Sequence, residues 1–330
     1  MLPLGVVIPT RNSRPYLAAH VAGLKEWIDL AQEIVVVDSF STDGTVDYLK
    51  ENLSHPRITF ASHPPGLYAS WNHGIAQVRA PYLYIATAGD LVTRAGIQQL
   101  VETAQKLDCD VVVSKPTFRD LADAPLPDYE WPIDDVIASL KITSPRKLTK
   151  LEALILCAVH ARMGLLGSSA SDVFRTSMIQ RLPYPTDHGN SGDGVWALKH
   201  VAEVSWGVFP EKVTSFLIHP PNPSSSPSAA NRPEYPRSDA VLRASMDSWR
   251  SSGMVSANEC TRIKWNELMK LLTSYLDGKA AFDRDRRREI PWFLNPVAWR
   301  NRSLRENSSK RLNALKHQLL AECRESAVTG

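Results

Sequence analysis

Cysteine is sparse in this sequence and never closely spaced. Cys109, Cys157, Cys260 and Cys323 are the four present among 330 residues. No two of them form a Cys-x-x-Cys unit, so a metal knuckle or redox pair has no support, and the thiols read as buried groups in a reducing compartment. No apolar run reaches the roughly 18–20 residues that a membrane-spanning helix requires. The opening Met1-Leu2-Pro3-Leu4 enters a core-like strand without a basic region, apolar stretch and cleavage site, so no secretory leader is expected and the location expected is cytoplasmic. Gly-x-Gly-x-x-Gly and Gly-Lys-Thr loops are missing as well, which leaves the common dinucleotide and P-loop readings unsupported. A formal net charge of +3 is too small to argue for nucleic acid as a partner.

With 43% hydrophobic and 22% charged residues, the chain has ordinary globular composition and ample material for a large core. Two runs stand out, Val6-Val7-Ile8-Pro9-Thr10 and Ile34-Val35-Val36-Val37-Asp38. Continuous β-branched runs read as strands buried on both faces, the pattern of a parallel sheet. Strands are expected over Gly5–Thr10, Glu33–Asp38, Arg57–Ala61, Tyr82–Thr87 and Asp110–Ser114. Helices are expected over Tyr16–Leu30, Thr45–Leu53, Leu67–Val78 and Lys147–Met163. Such alternation predicts an α/β sandwich. The Pro- and Asp-rich stretch Ala122–Pro132 predicts a loop, and residues 221–236, dominated by Pro, Ser and Asn, a linker or long surface loop. Beyond it, Asp239–Trp249, Ala257–Gly278 and Arg305–Ala321 carry helical patterns, so residues 237–330 form a helical C-terminal extension.

In open α/β sheets, ligands collect beyond the carboxyl ends of the strands, so the polar residues there are the candidates for chemistry. Asp38 ends a buried strand and can accept hydrogen bonds from a base edge or ribose; the alternative is a turn carboxylate, since Ser41-Thr42-Asp43-Gly44 is a turn. Asp43 reads as a helix cap. In Tyr84-Ile85-Ala86-Thr87-Ala88-Gly89-Asp90 a strand runs into a small-residue turn that presents one acid, suited to a hard divalent cation or simply closing the turn. Asp193, within His188-Gly189-Asn190-Ser191-Gly192-Asp193-Gly194, opens a helix and is either an N-cap or a base. His219 follows the strand-like Val213–Ile218 and is either structural or a ligand for metal or diphosphate. Tyr129, Trp131, Trp196 and Trp206 are candidates for stacking on a sugar face or for packing.

Four ordered stretches then resemble the family 2 (GT-A) inverting glycosyltransferases, which use nucleotide-diphosphate sugars. They are Val7–Asn12, Val36–Thr45, Gly66–Ala76 and Arg79–Ile85, with a weaker likeness through Gly167–Arg175 and the Asp193 region to about residue 220. The resemblance implies a GT-A-type nucleotide-binding sandwich over residues 1–220, built on a central, mostly parallel mixed sheet. Residues 1–115 would form its nucleotide-binding part and 116–220 its acceptor-side part. It implies that Pro9, Thr10 and Asn12 line the base and ribose pocket, that Asp38 accepts from the base and that Arg79 sits near the nucleotide. Asp90 would be the last carboxylate of the family's Asp-x-Asp element and, with His219, would hold Mg²⁺ or Mn²⁺ on the donor diphosphate. Ala88 stands where the first aspartate of that element is expected, so the site offers one carboxylate fewer. Asp193 would be the catalytic base.

The function implied is transfer of a sugar from a nucleotide-diphosphate donor to an acceptor hydroxyl of a bacterial surface glycan or glycolipid. Two rivals are a nucleotidyltransferase and an inactive scaffold subunit of a glycan-assembly complex. The first is disfavoured because Arg11-Asn12-Ser13-Arg14 lacks the glycines a triphosphate loop needs; Ala88 supports the second. The arginine-flanked Ile290–Trp299, holding Trp292, Phe293 and Trp299, is expected either to dock on an anionic membrane surface or to pack against protein, including a second copy of the chain.

Overall fold

Every residue of the first strand, β1 (Leu4–Thr10), is buried, as its unbroken apolar run requires. In the computed structural model, which describes residues 1–129, 131–159, 165–166, 169–218, 238–251, 259–286 and 296–328, this strand lies inside a large sheet. After it come α1 (Leu17–Lys25), β2 (Glu33–Asp38), α2 (Thr45–Asn52), β3 (Ile58–Ser62), α3 (Leu67–Ile75) and β4 (Tyr82–Ile85). The chain continues through β5 (Leu91–Val92), α4 (Arg94–Leu107), β6 (Val111–Val113), β7 (Pro116–Arg119), α5 (Pro132–Leu140), β8 (Arg146–Lys147) and α6 (Lys150–Val159). Then follow β9 (Asp172–Arg175), α7 (Thr176–Arg181), α8 (Gly192–His200), β10 (Trp206–Val208) and β11 (Thr214–Leu217). Three C-terminal helices close the chain: α9 (Ser238–Ser251), α10 (Glu259–Arg286) and α11 (Pro296–Val328).

The large sheet runs β3-β2-β1-β4-β9-β6-β10-β8. Its first four strands are parallel; β9 is antiparallel to both neighbours and β8 is antiparallel to β10. This is the mostly parallel mixed sheet the sequence implied. A second, three-stranded sheet, β5-β11-β7, joins three short segments. Side chains alternate across the large sheet. Val6 and Ile8 enter a core with Leu17, Leu24 and Leu49 of α1 and α2 and with Ile97 and Leu100 of α4. Val7, Val35 and Val37 face Trp71 and Ile75 of α3 in a second core.

That second core extends into the C-terminal helices. Leu268, Leu272 and Leu276 of α10, and Leu312, Leu315 and Leu319 of α11, share it with Leu154 and Leu156 of α6. α10 and α11 pack on each other, and α11 also packs on α5 and α6. A buried Lys316 on α11 pairs with Asp135 on α5. The extension is therefore helical where described, and it is built into the core. Residues 221–236, and Trp292 and Phe293 of the proposed membrane segment, lie outside the described residues.

Candidate functional site

Register brings the carboxyl ends of the parallel strands to one level. Thr10 pairs with Asp38 and Asp38 with Ser62, while the β4 chain leaves the sheet after Ala86, whose amide donates to the Val7 carbonyl. A cleft of about 350 Å³ opens along this edge, lined by Pro9, Thr10, Arg11, Ser13, Ser39, Gly66, Ser70, Trp71, Thr87, Ala88 and Asn190, among others. The hydroxyls of Ser39 and Ser70 meet at 2.7 Å. Two further polar atoms of lining residues are buried without a protein partner, Thr10 Oγ1 and Trp71 Nε1. Native structures rarely leave such groups unpaired, and hydrogen-bonding groups of a ligand would satisfy them.

The loops above the cleft are braced by each other. Asn12, at φ 46°, donates its amide to Ser41 Oγ at 2.8 Å and accepts from the Thr42 amide at 2.9 Å. The carboxylate of Asp43 takes the amides of Arg14 and Thr45 and the Thr45 hydroxyl. Burial pushes that carboxyl upward, but these donors outweigh it and hold Asp43 below the usual carboxylate range. Asp38 is buried and accepts from the Ser41 amide at 2.9 Å and the Ser41 hydroxyl at 2.5 Å. In this structure it serves as a turn carboxylate, and its neighbour Ser39, not Asp38, lines the cleft. Pro9 and Thr10 do line it. Asn12 braces the loop above.

Arg79 is not brought to this site. Its amide, and that of Ala80, donate to Glu33 Oε1 at 2.6 Å. Glu33 opens β2 and Arg79 precedes β4, so both stand at the amino edge of the parallel strands, opposite the cleft. A residue just before a strand cannot reach the edge where that strand ends.

Asp90 is also turned away. Gly89, at φ 102°, makes a turn in which a Cβ would meet Leu217 at 2.6 Å. Beyond the turn, the buried Asp90 accepts the Leu217 amide at 2.9 Å. Burial pushes its carboxyl up to about 7, against the opposing pull of the Leu217 amide and the Arg119 charge. Arg119, itself buried, donates to the Gly89 carbonyl and pairs with Asp123. The residues of this turn that face the cleft are the neutral Thr87 and Ala88. Among the described residues no group of three His, Cys, Asp or Glu side chains could hold an ion. A hard divalent cation wants exposed carboxylate oxygens, whereas this turn offers one buried carboxyl beside a guanidinium. The donor set does not fit the Mg²⁺ or Mn²⁺ site expected through Asp90; His219 lies outside the described residues.

Asp193 is the second residue of α8, and Asn190, three residues before it, lines the cleft. Its Oδ1 accepts the Gly194 amide at 2.7 Å. Burial raises its pKa, and the hydrogen bond from the Gly194 amide only partly offsets this, while the nearby Tyr68 hydroxyl donates to the Asn190 carbonyl at 3.2 Å. Tyr68 belongs to α3, next to the cleft residue Leu67, so Asp193 stands at the corner where α3 meets α8. A second carboxyl belongs to this corner electrostatically. Asp172 is fully buried, accepts weakly from the Ser114 amide and the Ser171 hydroxyl, and has an unpartnered Oδ2. Burial drives its pKa well above the ordinary value, with the Asp193 charge adding to the rise. Sequence reasoning did not single out Asp172. The signal was an acid opening the apolar Val173-Phe174, but only the antiparallel placement of β9 puts a strand's first residue toward the carboxyl edge of the parallel strands.

The aromatic candidates separate by burial. Trp196 and Trp206 are core residues, with indole N–H groups donating to the carbonyls of Leu182 and Val201. Tyr129 is exposed and packs edge-on against Phe118, which Trp131 and Phe216 also touch.

The family model described as "Glycosyl transferase family 2" matches residues 5–165, the segment that contains nearly all of the cleft. Among curated proteins, the chain is 27% identical over 123 residues to "Glycosyltransferase GlyG" of Streptococcus pneumoniae serotype 4, covering 36% of this chain and 41% of that protein. The match thus spans less than half of that relative's length. Among solved structures, S. aureus TarS 1-349 in complex with UDP-GlcNAc superposes with a TM-score of 0.54 at 14% identity, covering 98% of this chain and 92% of that one. Its complex with UDP gives 0.51 at 13% identity, covering 98% and 91%. At such identity these structures speak for the fold alone. The match makes residues 5–165, just under half of the chain, similar to glycosyl transferase family 2, and the chain has a GT-A-type fold.

Proposed function

We propose that this protein is an inverting glycosyltransferase that takes a sugar from a nucleotide-diphosphate donor bound in the cleft and delivers it to an acceptor hydroxyl. The observation that carries the reading is the cleft itself: two buried, unpartnered polar atoms, Thr10 Oγ1 and Trp71 Nε1, belong to its walls, and a carboxylate of raised pKa, Asp193, stands at its corner. A uridine nucleotide is the favoured donor class, because the similar TarS fold is known with UDP and UDP-GlcNAc.

In this mechanism Asp193 accepts the proton of the acceptor hydroxyl as its oxygen attacks the anomeric carbon from the face opposite the diphosphate. A single in-line displacement inverts the configuration. Partial burial makes the carboxylate a stronger base than an exposed one, while the Gly194 amide holds its orientation. The acceptor proposed is a hydroxyl of a bacterial surface glycan or a lipid-linked glycan. In the latter case Ile290–Trp299 would meet the membrane on its inner face. No helix among the described residues is long and apolar enough to cross a membrane.

A screen of UDP-, GDP- and dTDP-sugars by thermal shift, followed by product analysis with free and lipid-linked acceptors, tests the reading. The expected product is a nucleoside diphosphate with a glycosylated acceptor. Release of pyrophosphate would identify a nucleotidyltransferase instead. A non-catalytic scaffold is the second reading, favoured by the neutral Thr87-Ala88 turn; it predicts no turnover with any donor and acceptor.

A further inference from the structure

Within the proposed donor cleft, Arg11 is the only charged residue among the described lining residues. It follows the last residue of β1 and stands on the same edge as the neutral turn Thr87-Ala88. No described carboxylate pairs with its exposed guanidinium. The two acids on the adjoining loop are engaged elsewhere: Asp38 by Ser41, and Asp43 by the Arg14 amide and Thr45. The neighbouring cation Arg14 lies over the Tyr48 ring, 4.0 Å from its centroid. Arg11 thus offers an uncompensated positive charge to the cleft. On the opposite side, the one acid of the turn, Asp90, accepts the Leu217 amide beneath the wall. A dication placed in the cleft would meet neutral oxygens and a guanidinium, whereas a diphosphate would meet a planar donor suited to paired phosphate oxygens.

We propose that Arg11 binds the donor's diphosphate and balances the charge of the departing nucleoside diphosphate, so that the donor is held without a divalent cation. This rests on the donor-site reading above. In the transfer step the bond from the anomeric carbon to the diphosphate oxygen breaks and its electron pair stays on that oxygen, facing Arg11. The new bond forms to the acceptor oxygen, whose proton passes to Asp193.

Calorimetric titration of UDP and uridine, in EDTA and in Mn²⁺, into the wild-type protein and Arg11→Gln tests the proposal, with GDP/guanosine and dTDP/thymidine as parallel pairs. In EDTA the diphosphate should bind about ten- to a hundredfold more tightly than its nucleoside. Arg11→Gln should abolish most of that preference and leave nucleoside binding and melting temperature unchanged, and Arg11→Lys should keep part of it. A preference that emerges only with Mn²⁺ would overturn the proposal while leaving the donor site standing. A preference retained in Arg11→Gln would overturn the role of Arg11. If none of the nucleotides binds under either condition, the donor-site reading fails and this inference fails with it.

Discussion

Asp38, Asp90 and Asp193 all follow apolar runs or tight turns, and burial and partners give them three different behaviours. Asp90 carries a direct consequence for pH. Its carboxyl is raised to about 7 in the folded protein from an ordinary 3.8. The native state therefore holds the proton that the unfolded chain releases, and stability from this group is lost as pH rises through that window. His20, whose Nδ1 lies 3.0 Å from the Asp90 carbonyl, is lowered to about 4 by burial. Its contribution has the opposite sign, being lost as pH falls from about 6.5 to about 4. Asp90→Asn removes the first effect and keeps an acceptor for the Leu217 amide. Denaturation at pH 4 and pH 8 should show the variant gaining about 1–3 kcal/mol on the wild type between the two; an unchanged difference would contradict this assignment. Asp193 gives a second pH prediction. Its raised pKa places the acid limb of turnover above the range of an exposed carboxylate, and an acid limb at the ordinary value would argue against it as the base.

At the scale of elements, close packing between α3 and the sheet positions the cleft wall. A Cβ on Gly74 would meet Val7 Cγ1 at 2.6 Å and Val37 Cγ2 at 2.8 Å, so the helix lies against β1 and β2 at backbone distance. Gly74→Ala should destabilise the protein by about 1–3 kcal/mol in urea unfolding through overpacking. An unchanged midpoint would mean that α3 can shift freely. The parallel half of the fold was legible because β-branched runs such as Val35-Val36-Val37 announce doubly buried strands. Glu33–Asp38 is a strand with the expected bounds, and Tyr82–Thr87 shortens only to Tyr82–Ile85. Short strands whose partners are remote in sequence were not legible. β5 and β8 have two residues each, β7 was unmarked, and β9 exists because Val173 and Phe174 fit between β4 and β6. The site divided in the same way. The strand-end position of Thr10, the place of Asp193 in a helix's first turn and that of Arg79 before a strand were readable locally, whereas the position of Asp90 depended on which way its turn faces and that of Asp172 on the antiparallel placement of β9.

At the scale of the whole molecule, the C-terminal helices share a core with α5 and α6, so they should unfold together with the rest. Lys316, 2% exposed, is held by Asp135 within this contact. Truncation to Ala leaves a carboxylate with less compensation, and a loss of about 1–3 kcal/mol is expected, below a fully buried pair because Asp135 is partly exposed. Lys316→Met keeps the apolar stem and should cost less. Two separate unfolding transitions would contradict a shared core. Membrane contact through Ile290–Trp299 is tested by flotation with anionic liposomes at low salt. Binding should weaken when Trp292 and Phe293 are replaced, and a protein that stays unbound would leave packing as the role of this stretch.

If the proposed roles hold, the cleft binds the donor while Asp193 performs the chemistry beside it. Release of nucleoside diphosphate from the donor identified by the screen, measured with acceptor for wild type and Asp193→Asn alongside donor affinity, tests both halves at once. The wild type should turn over, the variant should lose about 10²–10⁴-fold, and its donor affinity should stay within a few-fold of the parent. Turnover by Asp193→Asn within a few-fold of wild type, or loss of donor binding in parallel with activity, would contradict these roles.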